Sequence, residues 1–277
     1  MNPILTDVEV IKNLLQKVGG SVSRSLGQNF LICEEVVEAL LMVAGVEEAR
    51  AVVELGPGLG AITQRLLGSG FLVRAIEKDD GFVKLLPSVV SSAMRAKLEV
   101  VHDDLKDVSW SMPEPYQLIG NIPYNLSGLI VRRITQLEEA PTQAVLLVQR
   151  EVGERMRCRA PDMNLMSLAV GLWGEAKMVM RVPPHCFWPQ PRVSSELVVL
   201  RPDGQRLSVR DRERIMQVAR VAFGQKRKQL GTSLRSGPFE RSVIASALQE
   251  AGVEAAQRPE ELSVATWTRL GLILSQD

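Results

Sequence analysis

The run AVVELGPGLG (51–60) constrains this chain more than any other stretch. A short Val-rich segment reads as a buried strand, and glycines follow at 56, 58 and 60. Glycines there let a ligand approach the main chain, and the helix that comes next offers unpaired N–H groups. A chain that begins a sheet this way should continue in βαβ units.

The strand-like runs LVRAIE (72–77), LEVVH (98–102), YQLIG (116–120) and AVLLVQ (144–149) follow, separated by segments such as the helical FVKLL that Pro87 stops. This alternation predicts an α/β fold with a mostly parallel sheet. AKMVMRV (176–182) and SELVVL (195–200) are joined only by PPHCFWPQPRVS, too short for a crossover helix, so they should pair antiparallel at one edge. Upstream, Thr6-x-x-Glu9 predicts a capping box for an opening helix that Gly19-Gly20 ends, and a second helix is expected from Glu34 to Ala44. Beyond Pro202 only helical spacing remains, with Ile215, Val218, Ala219, Ala222 and Phe223 on one face. The expected division is a ligand-binding catalytic domain over 1–202 and a small all-helical domain over 203–277.

Composition (277 residues, 45% hydrophobic, 23% charged) is that of an ordinary globular protein, and no apolar run is long enough to span a membrane. The start carries Asp7 and Glu9 and resembles neither a secretory signal nor a transit peptide. Cys33, Cys158 and Cys186, with His102 and His185, show no metal-ligand spacing, so reduced thiols, a cytoplasmic location and no metal are expected. The net charge of +1 conceals an asymmetry: Arg201–Ser236 holds ten Lys/Arg against three Asp/Glu, a net of +7. That segment reads either as a docking place for a polyanion or as a solvated helix face.

The pattern G-x-G-x-x-A (Gly56, Gly58, Ala61) also satisfies a dinucleotide fingerprint, so the loop alone does not choose the ligand. Three acids argue against a dinucleotide. Glu54 can face a cationic ligand and would repel a pyrophosphate. Glu77 ends the second strand, where a carboxylate accepts ribose hydroxyls. Asp104 follows the third strand and can accept from an exocyclic adenine amine, with Asp103 as the alternative if the register slips by one. Together they suit S-adenosylmethionine. GNIPYN (120–125) then follows the fourth strand. A purine amine is a weak nucleophile because its lone pair is delocalised. The Asn121 side-chain oxygen and a nearby carbonyl, accepting its N–H groups, would favour the pyramidal form that attacks a methyl. Pro123 stiffens the turn, and Tyr124 offers a face for an extruded base.

These motifs resemble the ribosomal RNA adenine N6,N6-dimethyltransferase family, in its small-subunit (16S) branch, nearly end to end. LGQNFL (26–31) resembles the family's N-terminal cofactor motif, which implies cofactor contacts at Asn29 and Leu31. VELGPGLGAIT, IEKD and the DD before LKDV imply the same for Gly56, Glu77 and Asp104, and Glu54 and Gly58 join them as cofactor contacts from their places in the glycine loop. NIPYN resembles the catalytic motif, so Asn121 binds cofactor and target amine while Tyr124 stacks. FWPQPRVSS (187–195) matches F-x-P-x-P-x-V-x-S and implies that Phe187 covers the base's other face. FGQKRKQLGTSL (223–234) resembles the basic helix of the C-terminal RNA-binding domain. Thr232 and Gly128 depart from the usual Asn and Ser/Thr/Pro, which touches RNA docking and loop stiffness rather than chemistry.

The resemblance implies a Rossmann-like fold and a monomer that converts S-adenosylmethionine to S-adenosylhomocysteine without a metal. The implied targets are two adjacent adenosines in a hairpin near the 3′ end of 16S rRNA, in a small-subunit precursor, with a further part in subunit assembly. Large-subunit rRNA or DNA adenine methylation, and a non-catalytic assembly factor, are the alternatives.

Overall fold

The structure, a computed structural model, describes residues 3–19, 28–46, 49–113, 115–204, 207–225 and 227–275. Gly20, Leu26, Gly27 and two of the basic residues counted above, Arg206 and Lys226, lie outside the described residues. The chain begins α1 (Val8–Lys17), β1 (Phe30–Leu31), α2 (Glu34–Val46), β2 (Ala51–Leu55), α3 (Ala61–Gly68) and β3 (Leu72–Glu77). Then come α4 (Asp80–Leu85), α5 (Ser92–Arg95), β4 (Leu98–His102), β5 (Tyr116–Asn121), α6 (Ser127–Ile134), β6 (Ala144–Gln149) and α7 (Arg150–Met156). It continues through α8 (Leu165–Trp173), β7 (Gly174–Val182), β8 (Phe187–Trp188) and β9 (Ser195–Pro202). The helices α9 (Val209–Gly224), α10 (Leu230–Leu234), α11 (Arg241–Ala251) and α12 (Val264–Leu274) complete it.

The main sheet has seven strands in the order β4-β3-β2-β5-β6-β9-β7. From β4 through β6 every pairing is parallel, and β9 joins β6 antiparallel, with Ala144 opposite Leu200 and Gln149 opposite Ser195. Every residue of β2 is buried, as are the first five of β5 and of β6, which is why these runs read as continuous apolar segments rather than alternating ones. The sheet order reverses at the β2–β5 junction. In open α/β sheets that junction leaves a crevice beyond the strand ends, where ligands bind.

The helical start differs from expectation. Asp7, not Thr6, caps α1, its carboxylate accepting from the N–H groups of Glu9 (2.7 Å) and Val10 (3.3 Å). The Thr6 hydroxyl donates instead to the Glu34 carboxylate. Asp is at least as good a cap as Thr, and a nearby acid draws the hydroxyl away.

The chain forms two compact units: residues 1–130, 141–153 and 177–201, and residues 131–140, 154–176 and 202–277. This is not the single cut at 202, because the helical unit also recruits earlier segments. Met163, Leu168 and Leu172 belong to the apolar cluster of Ile215, Leu248, Trp267 and Leu270. One residue of the basic segment is structural in that unit. Arg212 is buried, and its guanidinium donates to the carbonyls of Thr135 (2.9 Å), Leu137 (3.3 Å) and Leu207. Among the described residues no helix is long and apolar enough to cross a membrane.

The thiol expectation is corrected. Cys33 and Cys186, 153 residues apart in sequence, are joined by a disulfide, and Cys158 is free. The cause is a two-stranded antiparallel ribbon that sequence periodicity does not reveal. β1 pairs with β8, Phe30 opposite Trp188 and Leu31 opposite Phe187, and Ile32 N–H donates to Cys186 C=O at 2.8 Å.

Candidate cofactor and amine site

Beyond the ends of β2 and β5 lies a cavity of about 480 Å³, within the size range of small-molecule sites. Its floor is the loop after β2. Gly56, Gly58 and Gly60 take φ of 70°, 56° and 89°, a region costly for any residue with a Cβ. Gly56 N–H is anchored on Ile76 C=O (3.0 Å) and Gly58 N–H on Glu77 Oε2 (3.0 Å), so the loop is tied to the end of β3. The Phe30 ring lies over Gly58 and meets Phe82 edge-on, with centroids 5.9 Å apart, making an aromatic wall.

The polar wall comes from the next two strand ends. Glu77 accepts from three main-chain N–H groups: Gly58 with one oxygen, Lys78 (2.8 Å) and Asp79 (2.9 Å) with the other. Burial nevertheless raises its pKa, and those three bonds only partly oppose the shift. A carboxylate has about four acceptor positions, so one remains for a hydroxyl. Asp104 is held by Lys78 Nζ (2.7 Å) and by Lys106 N–H (3.0 Å), and the Lys78 contact keeps its carboxyl below the usual range. Asp104 lines the cavity and Asp103 does not. Asp103 instead accepts from Asp104 N–H (2.7 Å).

The GNIPYN turn follows β5. Asn121 Nδ2 donates to Asn29 C=O at 2.8 Å, which fixes the amide's orientation and leaves Oδ1 and the second N–H for a ligand in the cavity that Asn121 lines. Pro123 has no N–H to offer, and its carbonyl takes Leu126 N–H at 2.9 Å to close a short 3₁₀ turn. Tyr124 lines the cavity, and its hydroxyl is tethered to Ser195 Oγ at 2.9 Å. Burial raises the Tyr124 pKa, so the phenol stays neutral, and the Ser195 bond only partly opposes that. Gly120 is required by proximity: a Cβ there would sit 2.7 Å from Leu55 C=O.

The arrangement fits an adenosine carrying a positive centre. Acids stand at successive strand ends, apolar walls come from Leu31, Phe82 and Leu105, and a glycine loop admits close approach. A family model described as ribosomal RNA adenine dimethylase matches residues 20–276. The chain belongs to that family. Among its curated relatives, a ribosomal RNA small subunit methyltransferase A of Acidobacterium capsulatum is 35% identical over 256 residues, 89% of either chain. The same-named protein of Leifsonia xyli subsp. xyli is 34% identical over 94% of this chain and 95% of its own. Among solved structures, the 23S rRNA methyltransferase ErmE superposes with a TM-score of 0.68 at 26% identity, over 90% of this chain and all of that one. A dimethyladenosine transferase from Plasmodium falciparum shares the fold (TM-score 0.72, 20% identity, 87% and 95% covered). Family membership makes this chain an S-adenosylmethionine-dependent rRNA adenine dimethyltransferase.

Of the candidate site residues read from the sequence, Asn29, Leu31, Gly56, Gly58, Glu77, Asp104, Asn121 and Tyr124 converge on one cavity. Glu54 and Phe187 do not line it. Glu54 is 1% exposed, and burial raises its pKa to about 8, with Thr63 opposing and Glu77 adding to the shift. Neither of its oxygens reaches hydrogen-bond geometry with a partner. Burial in β2 favours its neutral form, and the cavity lining does not include it. Phe187 is 2% exposed and packs in the core opposite Leu31, so as found its ring presents no face to a base. The sequence reading missed Phe30, Phe82 and Lys78 in the lining and Ser195 behind Tyr124. Phe30 and Ser195 stand inside motifs already quoted, where a turn or strand residue gives no sign of a long-range partner.

Proposed function

We propose that the chain methylates N6 of two adjacent adenosines in a hairpin near the 3′ end of 16S rRNA. It would act as a cytoplasmic monomer on a precursor of the small ribosomal subunit. The small-subunit methyltransferases that resemble it over more than nine-tenths of its length support the choice of subunit. The observation that carries the chemistry is Asn121, its amide fixed by Asn29 at the end of the strand beside the glycine loop.

S-adenosylmethionine supplies the methyl group when bound. Asn29, Leu31, Gly56, Gly58, Glu77 and Asp104 would hold it. Asn121 Oδ1 accepts one N–H of the target amine, and a main-chain carbonyl of the turn accepts the other. With both protons held, the nitrogen lone pair leaves conjugation with the ring and points away from the acceptors. Such fixed dipoles cost no reorganisation during transfer. No strong base is needed, and no histidine lines the cavity. A monomethylated amine keeps one N–H for Asn121, so the second transfer can use the same contact. Tyr124 supplies the platform for the extruded base, and its tether to Ser195 limits ring motion. Phe187 acts from behind, seating the strand that presents Leu31.

We assign the RNA grip to the helical unit, where Arg210, Arg220, Arg227, Lys228 and Arg235 are exposed. Phosphate contacts of this kind weaken steeply with salt. Unmethylated small subunits, large subunits and duplex DNA should be offered in parallel with labelled cofactor, and the product nucleoside located by mass spectrometry. Label confined to dimethyladenosine in small subunits is the expected result. Label in large subunits instead would move the assignment to the activity named for ErmE.

A further inference from the structure

The bonded pair Cys33–Cys186 lies where it can act on the site. Cys33 stands two residues beyond Leu31, which lines the cavity, and four beyond Asn29, whose carbonyl orients Asn121. Cys186 stands immediately before Phe187, which faces Leu31 across the ribbon. The ribbon itself is only two residues long on each side. So short a pairing has few ladder bonds to hold it, and a covalent link at its end removes much of its freedom. The Cα atoms are 4.9 Å apart, within the span that a disulfide bridges without backbone movement.

The two sulfurs differ in access. Cys186 is buried, whereas Cys33 is partly exposed and is the sulfur that a reagent can reach. The exposed His185 imidazole lies within 4.8 Å of both sulfurs and can take a thiol proton. Cys158 sits against Glu154 C=O and, among the described residues, belongs to no such cluster.

We propose that Cys33 and Cys186 form a reversible thiol-modification site whose oxidation state sets the seating of Asn29 and Leu31 in the cofactor cavity. The oxidant is a low-molecular-weight disulfide. Its S–S bond is cleaved to two thiols as the two cysteines give up two electrons and two protons and the Cys33–Cys186 bond forms. A small dithiol reverses the exchange. The bonded state is the seated one, so reduction loosens the ribbon and lowers turnover. The inference rests on the site reading above.

The test uses the full chain equilibrated with oxidised or reduced glutathione. Thiol state is read by alkylation and peptide mass spectrometry, cofactor-product affinity by calorimetry, and turnover by methyl transfer. A Cys33–Cys186 peptide in the oxidised sample is expected. Turnover in the reduced sample should be lower by about threefold to tenfold, less than the ~100-fold that a 1 Å misplacement of a positioning group can cost. Cys33→Ser and, independently, Cys186→Ala should stay at the reduced value in both buffers, while Cys158→Ser should still respond. Cysteines that remain alkylatable in the oxidising buffer would overturn the proposal. So would a bond that forms without changing affinity or turnover, or a reduced chain that takes up one zinc ion and then resists oxidation. If the redox response persists while Asn121→Ala retains full turnover, the site reading has failed and the thiol site stands.

Discussion

Tyr124 Oη and Ser195 Oγ lie 2.9 Å apart, joining the turn after β5 to the first residue of β9. The bond holds the ring from its far end, at the hydroxyl. Ser195→Ala and Tyr124→Phe should each lower turnover a few-fold, and the double variant should be little worse than either. A double-mutant cycle on turnover would give a coupling of about 1 kcal/mol for a shared hydrogen bond. Tyr124→Ala removes the platform as well and should lose a further ~1–3 kcal/mol of transition-state binding. Strictly additive losses would separate the two residues.

Asn121→Ala removes the acceptor for the target amine. Turnover should fall by about 100-fold or more, the usual cost of deleting a preorganised polar group. Affinity for the cofactor product should stay within about tenfold, or ~1.4 kcal/mol, by calorimetry. Wild-type turnover in this variant would remove Asn121 from the chemistry.

Glu54 makes stability depend on pH in a stated direction. Its folded pKa of about 8 lies above the ordinary value of 4.5, so the folded chain binds the proton more tightly. This contribution is fully present below about pH 4.5 and is lost as pH rises toward 8. Glu54→Gln keeps the shape without the ionisation. Denaturant unfolding from pH 5 to 8 should show the variant gaining on the wild type, by up to about 4 kcal/mol at pH 8. A constant difference across that range would show that Glu54 ionises freely.

Two arginines of one segment should separate. Arg212→Met removes a guanidinium bonded to three carbonyls and should cost about 2–4 kcal/mol of stability. Arg220→Ala, on the exposed side of the same helix, should leave the melting temperature nearly unchanged. It should instead weaken RNA binding and reduce the salt slope by roughly one contact.

Phe187→Ala distinguishes a core ring from a stacking one. As a core group it should cost about 3–5 kcal/mol in stability and weaken cofactor binding through Leu31. A variant of unchanged stability that loses only turnover would return Phe187 to the base.

Much of the sheet was legible in the residues. AVVEL, LVRAIE, LEVVH and AVLLVQ begin and end where β2, β3, β4 and β6 do, because buried parallel strands need unbroken apolar runs. The glycine loop and the acids after β3 and β4 were readable from their place in that order. The ribbon was not, since two residues have no period, and the disulfide depends on the ribbon's register. The burial of Glu54 was not legible either, because sequence alone does not distinguish a strand buried on both faces, as β2 is, from one with a face turned to a ligand. The cap at Asp7 was missed because two adjacent polar residues can both cap, and only the position of Glu34 decides between them.

Gly120 packs directly against Leu55 C=O, so no side chain separates the end of β5 from the end of β2. The gap between the glycine loop and the catalytic turn is therefore a main-chain dimension, as fixed as strand spacing itself. Substitutions elsewhere in the lining can widen, narrow or recharge the cavity while that main-chain gap stays the same. A single added carbon at 120 would change that gap without replacing any side chain that lines the cavity.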